Sequence, residues 1–222
     1  MGVLDDFLAS LSSEERTALE QLGRRKVFPA GTVIVHEGVV GEAIVLLLRG
    51  VLKISDVTPS RKEVVLGFCK QGQIVGELSV IDRQPRSSTV TAMQTAEAVL
   101  LSSTDFLAFK ERGPQAAMAI LRTVIGRLRD TDRRLVEFGA SDALGRVASR
   151  LLELCSGYGH PSERGVTITL GISQDELASW AGCSKKSLVI SLQTLRRLGL
   201  IETARRSITV LDLDGLRERA PG

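Results

Sequence analysis

Two short stretches carry residues that could grip a phosphate ester. Gly76-Glu77-Leu78-Ser79 is followed, one short loop later, by Pro85-Arg86-Ser87-Ser88-Thr89. A glycine lets the backbone approach a ligand closely. Arg86 presents a planar guanidinium fork that matches a phosphodiester. Ser87, Ser88 and nearby backbone N–H groups add neutral donors. Glu77, when ionised, only accepts hydrogen bonds, which suits a ribose hydroxyl. A cyclic nucleotide would engage all of these groups at once. A surface Glu–Arg pair flanking a tight turn would use the same residues.

A second constellation lies near the C-terminus. Ser173-Gln174-Asp175-Glu176 has the capping-box pattern, with Ser at the N-cap and Glu three residues later. The helix it starts is followed by a turn at Gly182-Cys183. Ser184 then caps a second helix, with Leu188, Leu192, Leu195 and Leu198 on its inner side, and Gly199 ends it. Ile201 and Ser207–Leu211 read as a hairpin around Arg205-Arg206. Helix, glycine turn, helix and basic hairpin form the pattern of a winged helix-turn-helix. Lys185, Lys186 and Ser187 fall where the second helix would enter the major groove, and Arg205 and Arg206 where a wing would meet phosphates. A helical hairpin with a solvated basic face is the plainer reading.

Other elements must hold these two stretches. Leu4, Leu8, Leu11, Leu19 and Leu22 have helical spacing, interrupted by Ser12-Ser13-Glu14-Glu15, which reads as the N-cap of a second short helix. From Lys26 to Leu101, short β-branched runs alternate with glycine turns, which predicts a compact β-roll. The runs are Thr32–Val35, Ala43–Leu48, Val51–Val57, Glu63–Phe68, Thr89–Ala92 and Ala96–Leu101. Near Thr104 the period becomes helical, and Pro114 suits the first position of a long helix. On that helix Ala117, Leu121, Val124, Leu128, Thr131, Leu135 and Phe138 form a heptad-like seam. The opposite face is charged, which predicts a homodimer interface rather than packing on the β-roll. Thr131 is the one polar residue of the seam and invites a ligand or a register-setting role. Gly139-Ala140-Ser141 reads as a hinge and Asp142 as the next N-cap. Gly157–Pro161 reads as a loop and Val166–Leu170 as a strand.

Composition narrows the class. The 222 residues are 43% hydrophobic with a formal net charge of +3, enough for one large or two modest domains. The basic residues concentrate near the C-terminus. Cys69, Cys155 and Cys183 are scattered, which fits a reducing cytoplasm rather than a disulfide framework. With only His36 and His160, no metal centre is expected. No apolar run reaches membrane-spanning length, and the N-terminus lacks the features of a signal peptide. No catalytic residue set is found: there is no Ser–His–Asp arrangement and no Walker-type loop.

With both ends read, essentially the whole chain resembles the CRP/FNR (cyclic-AMP receptor protein) family of bacterial transcription regulators. Ile34–Gly41, the Ile44–Leu47 run and Gly50 are similar to the first part of that family's β-roll. Val75–Ser79 through Arg86–Val90 is similar to its phosphate-binding cassette, and Asp142–Val147 to the start of the first helix after its hinge.

The resemblance implies an α+β fold. A cyclic-nucleotide-binding, jelly-roll-like β-roll would occupy residues 1–112, a long dimerisation helix 113–138, and a winged helix-turn-helix 139–222. It implies cyclic AMP as effector, with cyclic GMP as an alternative, and no metal. The nucleotide would be held by Gly76, Glu77, Leu78, Arg86, Ser87, Ser88, Thr131 and Asp132. DNA would be held by Ser173, Gln174, Ser184, Lys185, Lys186, Ser187, Ile190, Arg205 and Arg206. Double-stranded DNA, a second copy of the chain and RNA polymerase would be the partners of this cytoplasmic, non-enzymatic regulator.

The sequence departs from the family pattern in places. Asp132 replaces a serine that reaches the partner subunit's adenine; an aspartate accepts from adenine and guanine alike, and a simple intrahelical pair with Arg129 or Arg133 is the plainer reading. Ser88 replaces the usual alanine, and Val39 a polar turn residue. Lys185, Lys186 and Ile190 replace the base-reading arginine, glutamate and arginine, and Gln174 replaces a phosphate-contacting arginine. Lysine lacks the bidentate fork, and Ile190 suits only an apolar patch such as a thymine methyl. A different operator half-site is therefore expected. A nucleotide-independent DNA-binding regulator and a protein-contact module remain the rival readings.

Overall fold

The computed structural model describes residues 6–111 and 114–220. Leu4 of the first apolar stretch and the expected boundary at 112/113 lie outside the described residues. The chain divides into two compact units, Met1–Val57 with Leu66–Thr131, and Thr58–Val65 with Asp132–Gly222.

In the first unit a 3₁₀ turn at Leu8–Ser10 precedes α1 (Ser13–Leu22). Ser12 and Glu15 close a capping box at its start. The strands are β1 (Arg24–Phe28), β2 (Val33–Val35), β3 (Ala43–Arg49), β4 (Leu52–Val57), β5 (Glu63–Cys69), β6 (Ile74–Val75), β7 (Thr89–Ala92) and β8 (Ala96–Ser102). They form two four-stranded sheets, ordered β1-β8-β3-β6 and β2-β7-β4-β5. The short helix α2 (Glu77–Ile81) separates β6 from β7, and α3 (Ser103–Glu111) and α4 (Pro114–Ala140) follow β8.

The apolar run of β3 has a double task. Val45 and Leu47 join Phe28, Leu52, Val75, Val90 and Ala98 in the core of the roll. Ile44 and Leu46, on the opposite face, join Phe7, Leu19, Phe106, Phe109, Ala116, Ala119 and Ile120 beneath the helices. A strand covered on both faces reads as continuously apolar rather than alternating. β1 escapes sequence reading for the opposite reason. Its residues Arg24 to Val27 are exposed, as an edge strand tolerates.

On α4 the buried face is Ala116, Ala119, Ile120 and Thr123. The expected seam lies on another face: Leu121, Leu128, Leu135 and Phe138 are exposed, Leu135 to 72%.

The second unit contains α5 (Ala143–Tyr158), β9 (Gly159–Ser162), β10 (Gly165–Ile168), α6 (Gln174–Trp180), α7 (Lys185–Arg197), β11 (Ile201–Ala204), β12 (Ser207–Val210) and α8 (Leu213–Arg219). Its sheet has the order β11-β12-β10-β9. Asp142 caps α5 by accepting from the Gly145 N–H at 2.8 Å. Residues 157–161 are not the expected loop. The helix runs to Tyr158, and Pro161 sits opposite Val166 on the edge strand β9, a place where a missing N–H is tolerated. Leu198 is 45% exposed rather than inward, because it falls beyond the last turn of α7. The β11–β12 turn holds Arg206 in the left-handed region, at φ 61°.

Arginines tie the end of α4 to this unit. Arg150, with a side chain only 2% exposed, pairs with Glu137 of α4 and, at 2.8 Å, with Glu153. Its guanidinium and that of Arg134 lie 5.4 and 5.5 Å from the Trp180 ring centroid. Arg146 donates to the carbonyls of Ser141 at 2.5 Å, Ala181 at 2.9 Å and Gly182 at 3.1 Å, and lies over the Phe138 ring.

Candidate functional site

The first unit gathers Gly76, Glu77, Arg86 and one residue absent from the sequence expectations, Arg127. Gly76 ends β6 and starts α2 at φ 87°, a left-handed conformation that favours glycine. A Cβ there would also lie 2.3 Å from Arg86 Nη1. Gly41 leaves similar room, since a Cβ would meet Ser79 Oγ at 2.4 Å and Arg86 Cζ at 2.6 Å. The backbone is drawn tight around a buried guanidinium.

Arg86 donates through Nη1 to the Gly76 carbonyl at 2.5 Å and to Ser79 Oγ at 2.7 Å, and through Nη2 to the Ala43 carbonyl. Burial lowers its pKa, and the neighbouring Glu77 carboxylate opposes that shift. An arginine nevertheless stays protonated in such a site.

Glu77 has no solvent exposure. Its Oε1 accepts from Arg127 Nη1, while Arg127 Nη2 donates to the Ile74 carbonyl. Its other oxygen, Oε2, is buried without a hydrogen-bond partner among the described residues. A buried acceptor left unpaired is costly, so this oxygen is a natural receptor for a ligand hydroxyl.

Leu78 and Ser87 are exposed beside this cluster, and Ser88 is half-buried. Thr131 is exposed one turn beyond Arg127 on α4, and its hydroxyl donates to the Arg127 carbonyl at 2.9 Å. Asp132 is exposed as well. The sequence held one weak signal for Arg127: it lies four residues before Thr131 on the same helix face.

In the second unit, Ser173 Oγ accepts from the Glu176 N–H at 3.1 Å and Ser184 Oγ from the Ser187 N–H at 3.0 Å. Both serines are thus helix caps. The Ser184 and Ser187 hydroxyls are 2.9 Å apart. Gln174, Lys185, Lys186, Ile190, Arg205 and Arg206 are all exposed. Lys185 is held by Asp175, with Nζ 2.8 Å from Oδ2.

No helix among the described residues is long and apolar enough to cross a membrane. Among them no group of three or more His, Cys, Asp and Glu is placed to hold a metal ion.

The β-roll with its buried Glu–Arg cluster and the capped helix pair with its wing define a class: an effector-binding domain joined to a DNA-reading one. Comparison with known proteins agrees with both halves. Residues 25–112 match the cyclic nucleotide-binding domain family, and residues 145–219 match the Crp-like helix-turn-helix domain family. A CRP-like cAMP-activated global transcriptional regulator of Mycobacterium tuberculosis is 28% identical over 193 residues, covering 87% of this chain and 86% of that one. The cyclic AMP receptor protein of Thermus thermophilus is 27% identical over 212 residues, covering 96% and 95%. The crystal structure of a CRP/FNR-family transcriptional regulator from Thermus thermophilus superposes with a TM-score of 0.76 at 25% identity, over 89% of this chain and 98% of that one. The chain belongs to the CRP/FNR family of transcription regulators. It is a DNA-binding regulator with an effector domain, not an enzyme.

Proposed function

We propose that this regulator is a homodimer gated by a cyclic nucleotide, cyclic AMP foremost, and that the nucleotide repositions its DNA-reading helices. The observation that carries the reading is the buried Glu77 carboxylate, with one oxygen paired to Arg127 and the other without a partner. A ribose 2′-hydroxyl supplies the missing donor. Arg86 exchanges its carbonyl partners for the phosphate, aided by Ser87, Ser88 and the backbone at Gly76 and Leu78. Thr131 reads the purine, and Asp132 reads it from the partner subunit, which keeps cyclic GMP as a specificity alternative.

The β-roll with its flanking helices (1–112), the dimerisation helix (113–138) and the winged helix-turn-helix (139–222) are the proposed working parts. The exposed seam of α4 is the dimer face. On DNA, Lys185, Lys186, Ser187 and Ile190 meet base edges, while Ser173, Gln174, Ser184, Arg205 and Arg206 meet phosphates. RNA polymerase is the further partner, and the cytoplasm, with its reduced thiols, is the setting. Gating requires the nucleotide to bind one arrangement of the protein more tightly than the other.

Isothermal calorimetry with cyclic AMP and cyclic GMP tests this. Binding heat is expected with cyclic AMP and is abolished by Arg86→Ala. No heat with either nucleotide sinks the proposal. One observation favours a second reading, a nucleotide-independent regulator: the Arg86 guanidinium is already engaged by protein acceptors. That version binds DNA equally well with and without nucleotide.

A further inference from the structure

We propose that Asp175 governs the DNA selectivity of the winged helix-turn-helix by holding and neutralising Lys185, so that Lys185 is withheld from indiscriminate phosphate contact. The proposal rests on the DNA-binding role of this domain and is independent of the effector.

Asp175 is the second residue of α6, and Lys185 is the first residue of α7. In a helix-turn-helix the N-terminal end of the second helix faces the major groove, and the preceding helix crosses the backbone. A carboxylate at this edge stands where phosphates approach. It is not needed for the helix cap, which Ser173 and Glu176 complete. Its contact is with Lys185, Nζ to Oδ2 at 2.8 Å, with the side chains 58% exposed for Lys185 and 70% for Asp175. An exposed pair of this kind adds little to folding. Its weight appears when a polyanion arrives, because Asp175 both repels a phosphate and occupies the ammonium that would neutralise it. Lys186, the next residue, is exposed and is not drawn into that pair.

Base contacts specify whereas phosphate contacts only position. Binding that grows with every phosphate neutralised is blind to sequence. Reducing that component at the groove edge raises the ratio of specific to non-specific affinity. A lysine fixed by a carboxylate also offers a donor beside an acceptor, in a helix that lacks the family's base-reading glutamate.

The test uses the full chain and a duplex of random sequence, with affinity read by fluorescence anisotropy across a salt series. Asp175→Asn is expected to bind that duplex about five-fold more tightly, the worth of removing one unit charge about 4 Å away across water. The plot of log affinity against log salt should steepen by about 0.9, one more phosphate neutralised. Lys185→Ala alone should barely change the slope, and adding it to Asp175→Asn should cancel the gain. Asp175→Ser should repeat the Asn result, so a folding defect in one variant does not decide the matter. If Asp175 merely stabilised the start of α6, its loss would leave non-specific binding unchanged or weaker. Either of those results, or a full unit of slope lost in Lys185→Ala alone, overturns the proposal.

Discussion

Arg127 and Glu77 form an ion pair in which the carboxylate side chain has 0% exposure and the guanidinium side chain 27%. A carboxylate removed from water needs such a partner, and removing one member of a buried pair costs about 3 kcal/mol or more. Arg127→Ala is therefore expected to lower stability by about 3 kcal/mol in urea unfolding. Glu77→Gln combined with Arg127→Ala should recover part of that loss, because no charge is then left buried. Losses that simply add in the double variant would show that the two residues do not act together.

Gly76 is constrained twice, by its φ of 87° and by Arg86 Nη1, which would lie 2.3 Å from any methyl group placed there. A left-handed non-glycine residue costs about 1–2 kcal/mol before any clash is counted. Gly76→Ala should lower the melting temperature and weaken nucleotide binding together, since the clash falls on Arg86, the arginine proposed to hold the phosphate. A variant with unchanged nucleotide affinity contradicts the assigned role of Arg86.

The exposed seam of α4 makes a sharper test than a core position. Leu128 is 59% exposed and Leu135 72% within a single chain. Leu128→Lys with Leu135→Lys should leave the protomer folded while shifting sedimentation velocity from dimer to monomer. A dimer that survives both substitutions must be built elsewhere.

Much of the architecture was legible because its signals are local. The Asp142, Ser173 and Ser184 caps occur where the sequence placed them, and the cap expected within Ser12–Glu15 falls on Ser12. The alternation and glycine turns of the β-roll also survive as strands. What escaped were features fixed by distant neighbours. Arg127 acquires its role only because the fold brings Glu77 and Ile74 to it. β1 is a charged edge strand recognisable by its partner β8, and Pro161 sits in a strand only because β9 is an edge. α8 is a short helix started by Asp212, with a single buried anchor, Leu216. Such brief elements carry too little periodicity to be seen.

Arg146 joins the carbonyl of Ser141, between α4 and α5, to the turn of the helix-turn-helix at Ala181 and Gly182. Hydrogen bonds from charged donors contribute about 1.5–3 kcal/mol each when their acceptors are shielded. Arg146→Ala should cost about 2 kcal/mol in thermal melts and weaken DNA binding even with nucleotide saturating. Arg146→Lys keeps the charge but not the fork, so it should restore little. Full restoration by lysine would reduce the residue's role to its charge.

Two thiols give the fold an alkaline limit. Burial pushes the Cys69 thiol up to about 12 and the Cys155 thiol up to about 11. In the unfolded chain a thiol ionises near about 8.5. The unfolded state therefore loses its protons first as pH rises, and stability declines from that point until the folded thiols ionise. The urea midpoint should fall steadily between about pH 9 and pH 11. A midpoint that is level over that range contradicts the burial of these groups.

The wing turn contains a bargain between durability and duty. Arg206 is held at φ 61°, where glycine is at ease and an arginine carries about 1 kcal/mol or more of strain. Arg206→Gly should thus give a hardier protein and a poorer DNA binder. A screen for thermal tolerance alone would drift toward that exchange, and would select regulators that outlast their parent while losing their hold on the operator.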